Sequence, residues 1–289
     1  MKEVALAYAK INISLDIVSK MPDGYHNMKM VMQTVRLADE IEIECIKGEG
    51  ISVRSGISFV PDDERNIAVK AAMAFYRHTG ITGYKTQISI KKNIPVCAGL
   101  GGGSADGACV LRLLDKIYKT NLGRKKLEYI GYEIGADVPF CIDGGTSLAE
   151  DRGELLTNLT PLPKCNIVIC KPAFAIKTPE LFGKVRCEKI RVRPDTEGII
   201  EALERSDLGG VARRMYNVFE DVLPKRFQEI SAIKSTMYDN DAVGAVMTGS
   251  GPTVIGIFED ETLAINAYEH LRRSYEECYL TTAVERLGY

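Results

Sequence analysis

Residues 98–108 read AGLGGGSADGA, with Gly99, Gly101, Gly102 and Gly103 ahead of Ser104 and a run of small residues. Glycine loses more backbone freedom on folding than any other residue. A cluster therefore marks unusual φ/ψ angles or a close approach of the backbone to something else. Upstream, TQISIKKNIPV alternates and is rich in β-branched residues, the pattern of a strand. Downstream, Ala108, Leu111, Leu114, Ile117 and Tyr118 recur at helical spacing and predict a helix over about 104–119. Strand, glycine loop and helix start together present free backbone N–H groups to an anion.

Two familiar loops are excluded by spacing. A dinucleotide fingerprint needs G-x-G-x-x-G, and its third glycine position falls on Ser104 or Asp106. A Walker A loop needs a Lys directly after its last Gly, and none stands here. A phosphate cradle of another kind and a merely flexible connection both remain open on spacing alone.

The 289 residues are 45% hydrophobic, enough for a substantial core in one large or two modest domains. A net charge of −2, without a long Lys/Arg block, argues against nucleic-acid binding. No apolar run approaches the ~18 residues of a membrane span, and MKEVALAYAK lacks the apolar core of a signal peptide. Eight Cys occur without a C-x-x-C pair, and three His without H-E-x-x-H, which disfavours a zinc site. The expectation is a cytoplasmic protein with reduced thiols and no evident obligate protein partner.

Strand-like segments fill the first sixty residues around the turn MPDGYH. NIAVKAAMAFYRHTG predicts a helix ended by Gly80, and RKKLEYIGYEIGADVPF one helix ended by Gly135. Further helices are expected near 196–206, 208–219 and 225–238, with a strand at NIVIC and a strand–turn–strand at GAVMTGSGPTVIGIF. Strands and helices without regular alternation indicate α+β. GGTSLAED and LTPLPK suggest a boundary, giving domains at 1–155 and 156–289.

In EVALAYAKINISLDIV the apolar Ala5, Ala7, Ala9, Ile11, Ile13, Leu15 and Ile17 share one strand face, opposite Tyr8, Lys10, Asn12, Ser14 and Asp16. Lys10 and Asn12 then project together, either as part of a solvated face or as the cation that the glycine loop lacks. Asp137, in GADVPF, is either a turn cap or a carboxylate held for proton transfer. Ser104 is either the N-cap of its helix or a hydroxyl near a phosphate-bound metal, and both can hold at once.

AYAKINISLDI, MPDGYHNM, IPVCAGLGGGSADGA, GADVPF, FAIKTPELF and VMTGSGPTV occur in the order found in the GHMP kinases, and the chain resembles that family from residue 4 to about 258. DGYH with AKIN and GADVPF resembles the branch acting on a CDP-linked methylerythritol in the non-mevalonate isoprenoid pathway. One departure is Ala105-Asp106 after Ser104, where Ser or Ala and then Asn are frequent, and it is expected to be silent for chemistry. The resemblance implies a two-domain α+β GHMP kinase fold, ribosomal-S5-like first and ferredoxin-like second. It also implies small-molecule substrates, ATP and the CDP-linked alcohol, with Mg²⁺. Other implied readings are a kinase for another small alcohol, such as mevalonate or homoserine, and a non-catalytic nucleotide sensor.

By the same resemblance, ATP contacts run through Asn66 on the adenine side and Pro95, Ala98, Gly99, Leu100, Gly101, Gly102, Gly103 and Ser104. Ser104 would also touch Mg²⁺. Asp137 would act as general base, and Lys10 would orient it and offset developing charge. Asn12 would position the methylerythritol. Tyr25 and His26 would recognise cytosine, with Phe182 facing Tyr25 and Thr178 nearby. TGSGPT would place a second glycine turn beside the first.

Overall fold

The computed structural model describes residues 1–58, 60–224 and 227–288. The first domain opens on two long strands, β1 (Lys2–Lys20) and β2 (His26–Lys47), then β3 (Ile51–Arg54), α1 (Ile67–Thr79) and β4 (Tyr84–Lys91). It continues with α2 (Gly102–Tyr118), α3 (Arg124–Tyr132), α4 (Val138–Asp143), β5 (Thr146–Asp151) and β6 (Leu155–Asn158). The strands lie in the order β3-β4-β2-β1, with β5 pairing β2 and β6 pairing β5. Asn66 caps α1 by accepting the Ala68 N–H, and Gly80 ends it in the left-handed conformation.

The second domain carries β7 (Asn166–Lys171), α5 (Thr178–Phe182), α6 (Thr196–Glu204), α7 (Leu208–Ala212), β8 (Tyr216–Asn217), α8 (Gln228–Asp239), β9 (Gly244–Met247), β10 (Val254–Phe258), α9 (Glu261–Arg272) and β11 (Glu277–Thr282). Its sheet runs β11-β7-β10-β9. Ile167, Ile169, Ile255 and Ile257 pack in one core cluster with Ala9, Ile11 and Ile13 of β1, so the two domains share a buried seam. Residues near the C-terminus return to the first domain, where the Val284 N–H donates to the Thr34 carbonyl and Leu287 to Asp143. β6 crosses the expected boundary at 155 and belongs to the first sheet.

Several local expectations are corrected. The helix expected to end at Gly135 is α3, which closes at Tyr132, and the residues beyond Gly135 form a further short helix, α4, with Pro139 in its first turn, where a missing N–H costs nothing. The helix expected over 208–219 stops at Ala212. Tyr216 and Asn217 instead pair in parallel with Ser14 and Leu15, a tertiary contact overriding local propensity. The helix expected over 225–238 begins on residues outside the described ones and appears as α8. The apolar residues of β1 do not all serve one core. Ala7, Leu15 and Ile17 pack in a different cluster from Ala9, Ile11 and Ile13, and pairing with β2 shifts register between Tyr8 and Lys10 and between Asn12 and Ser14. Nor is the opposite face solvated, since Lys10, Asn12, Ser14 and Asp16 are all buried.

Candidate active site

The edge of β1 that faces away from β2 organises the site. The Lys10 N–H donates to the Leu100 carbonyl at 3.0 Å, fastening the first glycine loop. Two residues on, the Asn12 N–H donates to Thr248 Oγ1 at 2.8 Å, fastening the second glycine turn. Beyond that, Ser14 and Leu15 hold β8. One strand edge thus gathers three segments remote in sequence.

The loop leads into α2, which begins two residues earlier than the side chains suggest. Gly101 occupies the N-cap position at φ +67° without any side-chain cap, so Ser104 lies in the first turn and is not the N-cap. The N–H groups of Gly102, Gly103 and Ser104 have no helical carbonyl to meet, the condition under which a helix start can accept an anion. A Cβ on Gly101 would lie 2.8 Å from Lys10 Cγ, so the bare backbone leaves room for the Lys10 stem. A Cβ on Gly99 (φ +76°) would collide with the Thr248 carbonyl oxygen, and one on Gly249 would lie 2.9 Å from the Gly99 carbonyl oxygen. The two glycine turns interlock with no room for side chains.

This interlock yields a stability prediction. Gly99→Ala combines the left-handed penalty of about 1–2 kcal/mol with an overpacking cost of about 1–3 kcal/mol. At about 2–4 °C per kcal/mol for a chain of this size class, Tm should fall by about 5 °C or more in calorimetry. Gly56→Ala, at φ +69° with nothing within 4 Å, carries only the first cost. Equal losses in the two variants would mean that the turns do not interlock.

Lys10 is 5% exposed and reaches Asn12 Oδ1 at 2.8 Å and Asp137 Oδ2 at 3.5 Å. Asn12 also donates to Met30 Sδ at 3.4 Å. Asp137 stands at the start of α4 but makes no side-chain cap, and its side chain is 33% exposed. A carboxylate that does not cap its helix, open to the site and paired with a buried cation, is available for proton transfer. The glycine loop, Lys10 and Asp137 are therefore contiguous.

The other expected residues are placed as follows. Pro95, Ala98 and Leu100 are buried in the approach to the loop, and Ile94 Cγ2 lies 3.1 Å from where a Gly102 Cβ would be. Asn66 uses both ends of its amide on backbone, accepting from Ala68 and donating to the Pro61 carbonyl, so its side chain is committed to the cap. Its helix nonetheless adjoins the loop, since Ile67 Cδ1 lies 3.3 Å from where a Gly103 Cβ would be. Thr178 hydrogen-bonds Ser250 of the second glycine turn at 2.8 Å. Tyr25 is exposed on the β1–β2 turn. Phe182 lies against His26, the residue next to Tyr25, at 4.8 Å between ring centroids. Burial, with Lys20 adding, holds the His26 imidazole below its ordinary pKa and hence neutral at pH 7.

Sequence reasoning missed Asn217. Its Nδ2 donates to the carbonyls of Met247 (2.7 Å) and Gly249 (2.9 Å), pinning the second glycine turn. No local signal marks it, since its partners lie thirty residues on. Asp106, the departure from the family pattern, is buried and shares Lys92 with Asp39. Burial, against the pull of Lys92, pushes its carboxyl up to about 8. Lys92 Nζ of this cluster lies 3.4 Å from where a Gly102 Cβ would be, beside the first residue of α2.

Residues 66–145 match the GHMP kinases N terminal domain, and residues 199–277 the GHMP kinases C terminal domain. The chain is 41% identical to a 4-diphosphocytidyl-2-C-methyl-D-erythritol kinase of Clostridium botulinum (strain Loch Maree / Type A3), over 96% of this chain and 99% of that one. It is 43% identical to the protein of that name from Clostridium perfringens (strain SM101 / Type A), over 96% and 97%. A crystal structure of a 4-(cytidine 5'-diphospho)-2C-methyl-D-erythritol kinase superposes with TM-score 0.83 at 30% identity, covering 97% of this chain and 99% of that one.

Proposed function

The chain belongs to the GHMP kinases, and from that premise we propose how its residues carry out the ATP-dependent phosphorylation of 4-diphosphocytidyl-2-C-methyl-D-erythritol, a step of the MEP route to isoprenoid precursors. The observation that carries the reading is Lys10, whose stem runs along Gly101 while its ammonium stands 3.5 Å from Asp137. Backbone N–H groups of Gly102, Gly103 and Ser104 hold the ATP phosphates, with Pro95, Ala98, Gly99 and Leu100 shaping the loop and Asn66 fixing the neighbouring helix start. Asn12 orients the methylerythritol so that its C2 hydroxyl meets Asp137, which takes the proton as the phosphoryl group transfers. Lys10 offsets the negative charge that grows on the attacking oxygen and the phosphoryl group.

Magnesium fits this donor set as an ion carried mainly by the nucleotide. Among the described residues no three His, Cys, Asp or Glu converge, and Ser104, in the first turn of α2, would offer the ion a single hydroxyl. When bound, the ion would neutralise phosphate charge. No helix among the described residues is long and apolar enough to cross a membrane. All eight cysteines are free, which suits work in the cytoplasm.

The nucleobase end rests on Tyr25, His26, Phe182 and Thr178. A neutral imidazole offers one donor and one acceptor, as reading a base edge requires. ADP release should be fast with the CDP-linked substrate and negligible with mevalonate or homoserine. Turnover of either rival at a comparable kcat/KM would overturn the substrate assignment. His26→Ala should narrow the preference for the cytidine substrate over its uridine analogue, because stacking alone tolerates either base. An unchanged preference would remove His26 from base reading.

A further inference from the structure

Arg152 lies in the turn between β5 and β6, beyond the residues assigned to any role above. Pairing of Met28 with Asp151 carries that turn alongside the β1–β2 turn. There the guanidinium sits over the Tyr25 ring, 4.3 Å from its centroid, and forms an ion pair with Asp23. Asp23 also accepts the Tyr25 N–H at 3.1 Å, and the Arg152 N–H donates to Glu154. Tyr25 is 59% exposed, so without this support its ring would be free to rotate in solvent. An aromatic ring has two faces, and a planar cation stacked on one of them leaves the other for a ligand.

We propose that Arg152 is a positioning residue for the CDP half of the substrate, backing the Tyr25 ring so that cytosine stacks on its open face. The proposal rests on the reading of Tyr25 as a base contact. Asp23 holds the guanidinium in place, so the Asp23–Tyr25–Arg152 arrangement rests on contacts within the protein itself. Ordering the ring in advance lowers the entropy that binding must otherwise spend on it.

The test compares KM for the CDP-linked substrate with KM for ATP in Arg152→Met, Arg152→Lys, Tyr25→Ala and the double variant Arg152→Met/Tyr25→Ala. Arg152→Met should raise KM for the CDP-linked substrate about three- to fivefold, the range of an exposed cation–ring contact, with KM for ATP unmoved. Arg152→Lys should recover part of that loss. In the Tyr25→Ala background the Arg152→Met change should add nothing, as expected for a residue acting through the ring. Asp23→Asn, which keeps an acceptor for the Tyr25 N–H but drops the ion pair, should give a smaller rise and serves if the Arg152 variants fold poorly. A raised KM in Tyr25→Ala beside an unchanged one in Arg152→Met overturns the proposal and leaves the base-site reading intact. A lowered KM in Arg152→Met means that the guanidinium competes with cytosine for the ring, and an undiminished effect in the double variant means that it touches substrate directly. Either result overturns the positioning role. An unchanged KM in Tyr25→Ala removes the base-site reading and the proposal with it.

Discussion

An Asp137→Asn enzyme should turn over about 10²–10⁴-fold more slowly than the parent while still binding ATP and the CDP-linked alcohol. The amide has the shape of the carboxylate but cannot take the hydroxyl proton. The fold has little reason to change, because Asp137 caps no helix and Lys10 keeps Asn12 as a partner. Single-turnover rates read the chemical step, and calorimetric titration with a non-hydrolysable ATP analogue reads binding. Near-parental kcat would show that the proton leaves by another route, and lost ATP binding would show that Asp137 supports the nucleotide instead.

Lys10→Met removes the charge and keeps most of the stem that lies against Gly101. The charge matters most when negative charge develops on the phosphoryl group, so kcat should fall by roughly 10²–10³-fold and KM values much less. Thermal stability should fall modestly, since the buried Asn12 Oδ1 loses its donor and Asp137 its cation, against the saved cost of burying an ammonium. A rise in KM for ATP with kcat preserved would make Lys10 a ground-state phosphate binder and remove it from the transition state. Asp137 and Lys10 probe one unit, so their joint replacement should cost far less than the product of the two losses.

Legibility in the sequence follows the range of the interactions. Glycine spacing and helical periodicity are local, and they place the loop and α2 correctly apart from the cap, where a left-handed Gly101 takes the position that a serine usually fills. Strand parity puts Lys10 and Asn12 on one side, and the structure brings Lys10 to Asp137. Parity fails where the partner strand slips register, which sends Ala9, Ile11 and Ile13 to the domain seam. Asn217 and Arg152 stay invisible because their partners are set by tertiary packing, as is the pairing of Phe182 with His26. Asp106 is visible as an unusual residue, but only its burial beside Lys92 gives it a structural role.

The edge of β1 turned away from β2 also has a history in time. Asn12 and its partner Thr248 are separated by 236 positions. At about 5–20 residues per second on the ribosome, that edge waits roughly 10–50 s after emerging before the second glycine turn exists to cover it. Through that interval it is an open strand beside a half-built domain, the kind of surface that recruits other chains. Nascent-chain aggregation should therefore be worst for truncations that end before residue 248 and should subside once the turn has been made.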